Sequence, residues 1–146
     1  MAEPTAYTDA QAQNDISRNV RQYKDLDLFF DKKNVSKDIT KLTDIAAVKR
    51  SIRNLVLTNH YEKPFHPEIG SGVRDMLFEP MSLLTAHVLT RKIEDVIENF
   101  EPRAKIISVS AQPNLDRNEY RVTINFFVLN APTELVDLTL FLERLR

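Results

Sequence analysis

The chain has 146 residues, 42% of them hydrophobic and 28% charged, with a formal net charge of −1. That suits one globular domain with a modest core, and so even a charge balance argues against a domain built mainly to hold a nucleic-acid backbone. There is no cysteine, which removes disulfides, thiolate metal sites and a Cys nucleophile. No stretch approaches the apolar length of a membrane span. The start, Met-Ala-Glu-Pro-Thr, lacks the apolar core of a secretory signal, so synthesis and assembly in the cytoplasm are expected. Glycine occurs only at Gly70 and Gly72, so a Walker or Rossmann phosphate loop is absent.

Residues 1–24 are polar and hold no sustained apolar period, which predicts an extended arm with a short helix near Ile16 to Tyr23. The domain proper is expected over 25–146. Residues 25–31 alternate, with Leu26, Leu28 and Phe30 on one face and Asp25, Asp27 and Asp31, together with Phe29, on the other. This predicts a short strand with an acidic outer face, a device that suits sheet edges. Without a Gly turn the three carboxylates do not make a calcium loop. A charged connection follows over 32–42.

Thr43 or Asp44 is placed to cap a helix that runs to about Thr58, with Ile45, Val48, Ile52, Leu55 and Val56 as its buried stripe. Lys49, Arg50 and Arg53 fall on its other side, either as a solvated face or as a patch for an acidic partner. Residues 59–72 form a loop in which His60, Glu62, His66 and Glu68 invite a metal reading. Two prolines inside it and no helical His pair favour a structural loop. Phe65 is expected to plug into the core and Gly70 or Gly72 to make a turn with positive φ. No metal and no cofactor is expected.

Residues 73–78 predict a short helix or turn, and Pro80 suits the first position of a long helix over 81–100. Leu83, Ala86, Thr90, Ile93, Ile97 and Phe100 mark its inner side. Pro102 ends it, because proline disfavours the helical region at the preceding residue and donates no backbone hydrogen bond. Strands follow over 105–110 and 120–129, with a polar turn over 112–119. A last strand from Leu135 alternates Val136, Leu138, Leu140 and Leu142 against Asp137, Thr139 and Glu143. The fold class is α+β. A small mixed or antiparallel sheet, possibly including residues 25–31, is covered on one face by two main helices, with at least one edge left for partners.

The order of motifs is more telling than any one of them. Lys63-Pro64-Phe65-His66-Pro67-Glu68-Ile69-Gly70, then Leu77-Phe78-Glu79, then the long helix, then Glu101-Pro102-Arg103 and a strand pair follow one another from about residue 25 to the end. This order resembles the small baseplate wedge subunits of contractile phage tails, a family with members in type VI secretion baseplates. Tyr61 departs from the pattern, since many relatives carry Gly there. The resemblance implies a subunit at the junction of baseplate and sheath. Its sheet would resemble the sheath protein's interlocking domain and template the first sheath ring by strand addition. Glu101, Pro102 and Arg103 are implied to dock on the helical core bundle of the wedge through charge-assisted hydrogen bonds. Leu26, Leu28, Phe30, Leu138, Leu140 and Leu142 are the candidate partner-binding positions of the sheet.

Two other functions are weighed. Some members of the family carry a lysozyme-like label. A glycosidase needs two carboxylates across a cleft, one of them with a raised pKa. Glu68 and Glu79 can be nominated, but no pattern names an acid or a nucleophile, and there is no Trp to line a sugar site. Binding to nucleic acid would rest only on Lys49, Arg50 and Arg53. A structural, non-enzymatic subunit in the virion's tail baseplate is the favoured expectation.

Overall fold

The computed structural model describes residues 23–28 and 39–145. In chain order these form β1 (Lys24–Leu26), β2 (Lys41–Thr43), α1 (Asp44–Leu57), α2 (Val73–Met76), α3 (Leu83–Phe100), β3 (Ala104–Asn114), β4 (Glu119–Val128) and β5 (Ala131–Glu143). The strands make a two-stranded sheet, β1-β2, and a three-stranded sheet, β3-β4-β5, all antiparallel. The architecture is α+β, as expected, but residues 24–26 pair with β2 and not with the main sheet.

The core lies where α1 and α3 cover one face of the main sheet. Tyr120, Val122, Ile124, Phe126 and Val128 of β4 all turn inward and are fully buried. Val136, Leu140 and Leu142 continue that face on β5, with Leu138 packed at its margin. The helices answer with Val48, Ile52 and Val56 from α1 and Leu89, Ile93 and Ile97 from α3. Each such side chain contributes about 1.5–3 kcal/mol of burial, which is what fixes the strands' inward face.

Boundaries differ from expectation for local reasons. Helix α3 starts at Leu83, because Ser82 caps it: the Ser82 Oγ accepts from the Thr85 amide at 3.0 Å. Leu83 therefore sits on the first turn and is exposed, not part of the inner stripe. The turn between β4 and β5 takes only Leu129 and Asn130, so β5 begins at Ala131, ahead of Leu135. Strand β3 runs on to Asn114, past a bulge between Ile106 and Ser108.

The 59–72 loop is structural in the way its glycines require. A Cβ on Gly70 would stand 2.4 Å from the Asn59 carbonyl carbon and the His60 amide nitrogen, so only glycine lets the chain pass. Gly72 supplies the positive φ, +57°. Phe65 does not plug the core; it is 98% exposed with φ +66°. Tyr61 has φ +68°, so the chain keeps the left-handed turn that glycine adopts freely, and bears its cost with a tyrosine.

Candidate functional site

The chain leaves α3 through a turn built by hydrogen bonds on both sides of Glu101. The Glu101 amide donates to the Ile97 carbonyl at 2.9 Å, and the Ala104 amide donates to the Glu101 carbonyl at 3.1 Å. Pro102 lies on the outside of this bend and is exposed. The Glu101 side chain points the other way and is only 2% exposed.

A buried carboxylate needs partners. The Arg103 guanidinium provides a two-pronged grip, Nε to Oε1 at 2.6 Å and Nη2 to Oε2 at 2.9 Å. Ser51 of α1 adds a hydrogen bond to the same carboxylate. Burial raises the pKa of Glu101, but the bonds from Arg103 and Ser51 outweigh it, and the carboxyl is held below its usual range. Arg103 shifts upward in turn, chiefly through its bond to Glu101.

The third edge of the guanidinium faces β1. Its Nη1 donates to Asp25 Oδ2 at 3.3 Å, and the Tyr23 ring lies 5.5 Å from its carbon. The segment bearing Tyr23 and Asp25 is itself tied down. The Tyr23 amide donates to Asp44 Oδ1 at 3.1 Å, and the Asp44 amide donates to the Tyr23 carbonyl at 2.8 Å. Asp44 makes these bonds with φ +45°, in the left-handed region, at the first position of α1. Two residues on from Asp25, Asp27 is 8% exposed and pairs with Arg50 of α1 at 3.1 Å. Tyr23 to Leu28 thus forms a strap across the α1 start and the Glu101-Pro102-Arg103 turn.

This reverses the expected faces of β1. Its acidic side is inward, satisfied by Arg103 and Arg50, while Leu26 and Leu28 are 53% and 55% exposed. The alternation in the sequence is real, but two cations on neighbouring elements make the acidic face the one that docks. Phe30 lies outside the described residues. Sequence reasoning missed Tyr23, Asp25 and Ser51 as parts of the turn's network. The available signal was the pairing of two alternate aspartates with Arg50 and Arg103, far apart in the chain.

Leu138, Leu140 and Leu142 lie elsewhere, on β5. Their side chains face the protein's own core, so what β5 can offer a partner is its backbone edge. The amide directions follow from the register. The Arg144 amide donates to the Asn118 carbonyl at 2.9 Å, just beyond the pair Glu119↔Glu143. By the alternation of antiparallel ladders, Leu138, Leu140 and Leu142 then turn their amides toward β4. Asp137, Thr139, Phe141 and Glu143 turn theirs toward the edge that has no neighbouring strand among the described residues. The Leu145 amide, on that same side, donates to the Leu77 carbonyl at 3.0 Å and closes the edge at its end.

The opposite edge is poorer. The Leu129 amide donates to the Arg103 carbonyl at 3.0 Å, and the bulge shifts the pattern after Ile106. The backbone N–H groups of Val109 and Ala111 then point outward, while the Val109 side chain stays in the core, and Pro113 has no N–H to offer. Helix α3 also flanks this edge, with Ala86 and Thr90 lining a groove against Val109 and Ala111.

The other candidate chemistries find little. Among the described residues, no cluster of three or more His, Asp or Glu could hold a metal. His66 Nδ1 lies 3.1 Å from Glu68 Oε1 in an exposed pair. The backbone amide of Glu68 and its bond from His66 hold that carboxyl below its usual range. Of the basic trio on α1, Arg50 is engaged by Asp27.

Comparison with known proteins separates fold from family. The sequence profile described as baseplate wedge protein gp25 matches residues 43–133. The baseplate wedge protein gp25 of Enterobacteria phage T4 is 32% identical over 105 residues, 72% of this chain and 80% of that one. The chain belongs to the gp25 baseplate wedge family. As a member, it is a structural subunit of a contractile-tail baseplate wedge. Solved structures share the fold. A candidate tail lysozyme from Geobacter sulfurreducens superposes with a TM-score of 0.63 at 22% identity, covering 68% of this chain and 89% of that chain. A chain of the anti-feeding prophage baseplate gives 0.59 at 18% identity, covering 86% and 88%. A chain of the postcontracted pyocin R2 baseplate gives 0.53 at 19%, covering 82% and 98%.

Proposed function

We propose that this gp25-family subunit docks on the helical core bundle of the wedge through the Glu101-Pro102-Arg103 turn. From there it templates the first sheath ring by strand addition. The observation that carries the second half is the β5 edge. It offers outward amides at Asp137, Thr139, Phe141 and Glu143 with no strand partner among the described residues. An incoming strand satisfies such groups without needing a particular side-chain sequence. Leu138, Leu140 and Leu142 hold the register from behind, because a one-residue slip would turn them out of the core.

The turn supports the first half. Glu101 spends itself inside the chain, which fixes the backbone and leaves Pro102 and the rim of Arg103 and Asp25 at the surface. Asp25 keeps 40% of its side chain exposed there. The partners in this reading are the bundle subunits and the sheath protein, met in the tail during assembly in the host cytoplasm. The reading is non-enzymatic. A glycosidase acid needs a raised pKa, whereas Glu68, one of the two carboxylates nominated for that role, is shifted down.

The test is Thr139→Pro in the intact phage. Its amide points away from β4, so proline there spares the native ladder and removes one edge donor. Baseplates should still form, and sheaths should fail to extend from them in electron micrographs. Full-length sheaths on those baseplates would exclude β5 as the template.

A further inference from the structure

The side chains of β4 alternate about the main sheet. Tyr120, Val122, Ile124 and Phe126 meet the helices, so Arg121, Thr123 and Asn125 between them stand on the opposite, outer face. The ladder fixes what stands beside them. Phe141 is paired with Arg121, Asp137 with Asn125, and Glu143 with Glu119. On the other flank Lys105 is paired with Phe127, and Ile107 lies in the bulge next to it. Ile107 and Phe141 are each more than half exposed, and the Arg121 guanidinium carbon is 5.5 Å from the centre of the Phe141 ring. Lys105, Asp137 and Glu143 are exposed as well, and none of the three forms an ion pair among the described residues.

These groups are laid out as a self-complementary surface. Lys105 and Glu143 stand at diagonally opposite corners of the face, one on β3 in the row of Phe127, the other on β5 in the row of Glu119. Thr123 lies midway between those rows, on the central strand. A two-fold axis normal to the sheet at Thr123 exchanges β3 for β5 and one end of the face for the other. It lays Lys105 of one copy over Glu143 of the second, Phe141 over the Ile107 bulge, and Arg121 beside Asp137. Each contact then occurs twice, as an isologous interface requires. Opposite charges meet at both charged positions, and apolar side chains meet each other. From strand rise and spacing, the face offers roughly 450 Å² per copy. That is the low end for a specific interface, as suits a pair that forms and parts.

We propose that the free subunit pairs with a second copy of itself through this outer sheet face. Pairing face to face leaves the edge amides of β5 outside the contact, and it does not depend on where the Glu101-Pro102-Arg103 turn docks.

Zero-length carbodiimide cross-linking of the purified full chain reads the contact, because it joins an amine only to a carboxylate it touches. Within one chain Lys105 and Glu143 are separated by about 27 Å along the strands, so a link between them forms only between copies. That link is expected in the cross-linked dimer, located by mass spectrometry of its peptides. A dimer joined only at other residues would overturn the proposal. Sedimentation over a range of concentrations measures the strength. Lys105→Glu sets like charges against each other twice, so pairing should weaken roughly tenfold or more. Glu143→Lys should do the same, and the two changes together should restore pairing. Both positions are exposed, so the fold is kept and only the sign at the contact changes. A chain that stays monomeric up to millimolar concentration, or a dimer indifferent to both single changes, would contradict the proposal, and so would a double variant as weak as either single one.

Discussion

The turn at Glu101 and the edge of β5 are built on opposite plans. At the turn, charge is buried and every strong group finds its partner inside the chain. At the edge, backbone donors on one side of a strand have no strand partner among the described residues, while the side chains behind them pack the core. The difference lets one small domain hold a fixed shape at the turn and still keep an edge of the kind that suits strand addition. Rigidity at the turn comes from a satisfied ion pair, and the edge keeps a ladder with no strand partner among the described residues.

Proline scanning of β5 should break the comparison most sharply. Leu140→Pro removes an amide that bonds β4 and also a buried side chain, so a loss of about 4 kcal/mol or more is expected. Thr139→Pro, one residue away, should leave the chain folded, with a stability change within about 1 kcal/mol. Urea unfolding of the two purified variants measures both. Equal losses would mean that the amide directions are assigned wrongly.

Arg103→Ala tests the turn. It strands the Glu101 carboxylate in a buried place, which costs about 3–5 kcal/mol. Pairing it with Glu101→Gln should restore a good part of that loss, since the uncompensated charge is gone. A fully stable single variant would mean that Glu101 reaches water or another cation.

The same pair sets an acid limit. Glu101 has a folded pKa below the ordinary value of a glutamate side chain. Its contribution is therefore complete above about pH 4.5 and is lost as pH falls through the lower folded value. Stability measured from pH 6 downward should begin to fall near that point, and Glu101→Gln should flatten the fall.

The strap is expected to matter less. Asp25→Asn keeps a hydrogen-bonding group but removes the charge facing Arg103, in a pair that is 40% exposed on the Asp side. A loss of about 0.5–1 kcal/mol follows, small beside that of Arg103→Ala. Away from both regions, Tyr61→Gly should stabilise by about 0.5–1 kcal/mol by relieving the left-handed backbone, less what glycine adds to the freedom of the unfolded chain.

Much of this could be read from the sequence, and the limits have physical causes. The β4 alternation from Tyr120 to Val128 was legible because one face is buried along its whole length. The α3 period was legible from Ala86 to Ile97, but its start was not, since a Ser82 cap outcompetes the Pro80 signal. The faces of β1 were read backward. Alternation reports that two faces differ, and it cannot tell which one meets Arg50 and Arg103 across the fold. Phe65 was misplaced for a related reason: a large apolar residue in a loop stiffened by Pro64 and Pro67 looks like an anchor until the path of the loop is known. The Glu101-Pro102-Arg103 turn was found by its place in the motif order. That its charges bond one another needed coordinates.

In the proposed function, β5 is the edge on which the sheath starts. A cryo-EM map of the assembled baseplate and first sheath ring, at a resolution that traces main chain, tests it most directly. A strand of the sheath protein is expected beside β5, bonded to the amides of Asp137, Thr139, Phe141 and Glu143. A bare β5, or a sheath strand lying along Val109 and Ala111 of β3, would contradict it.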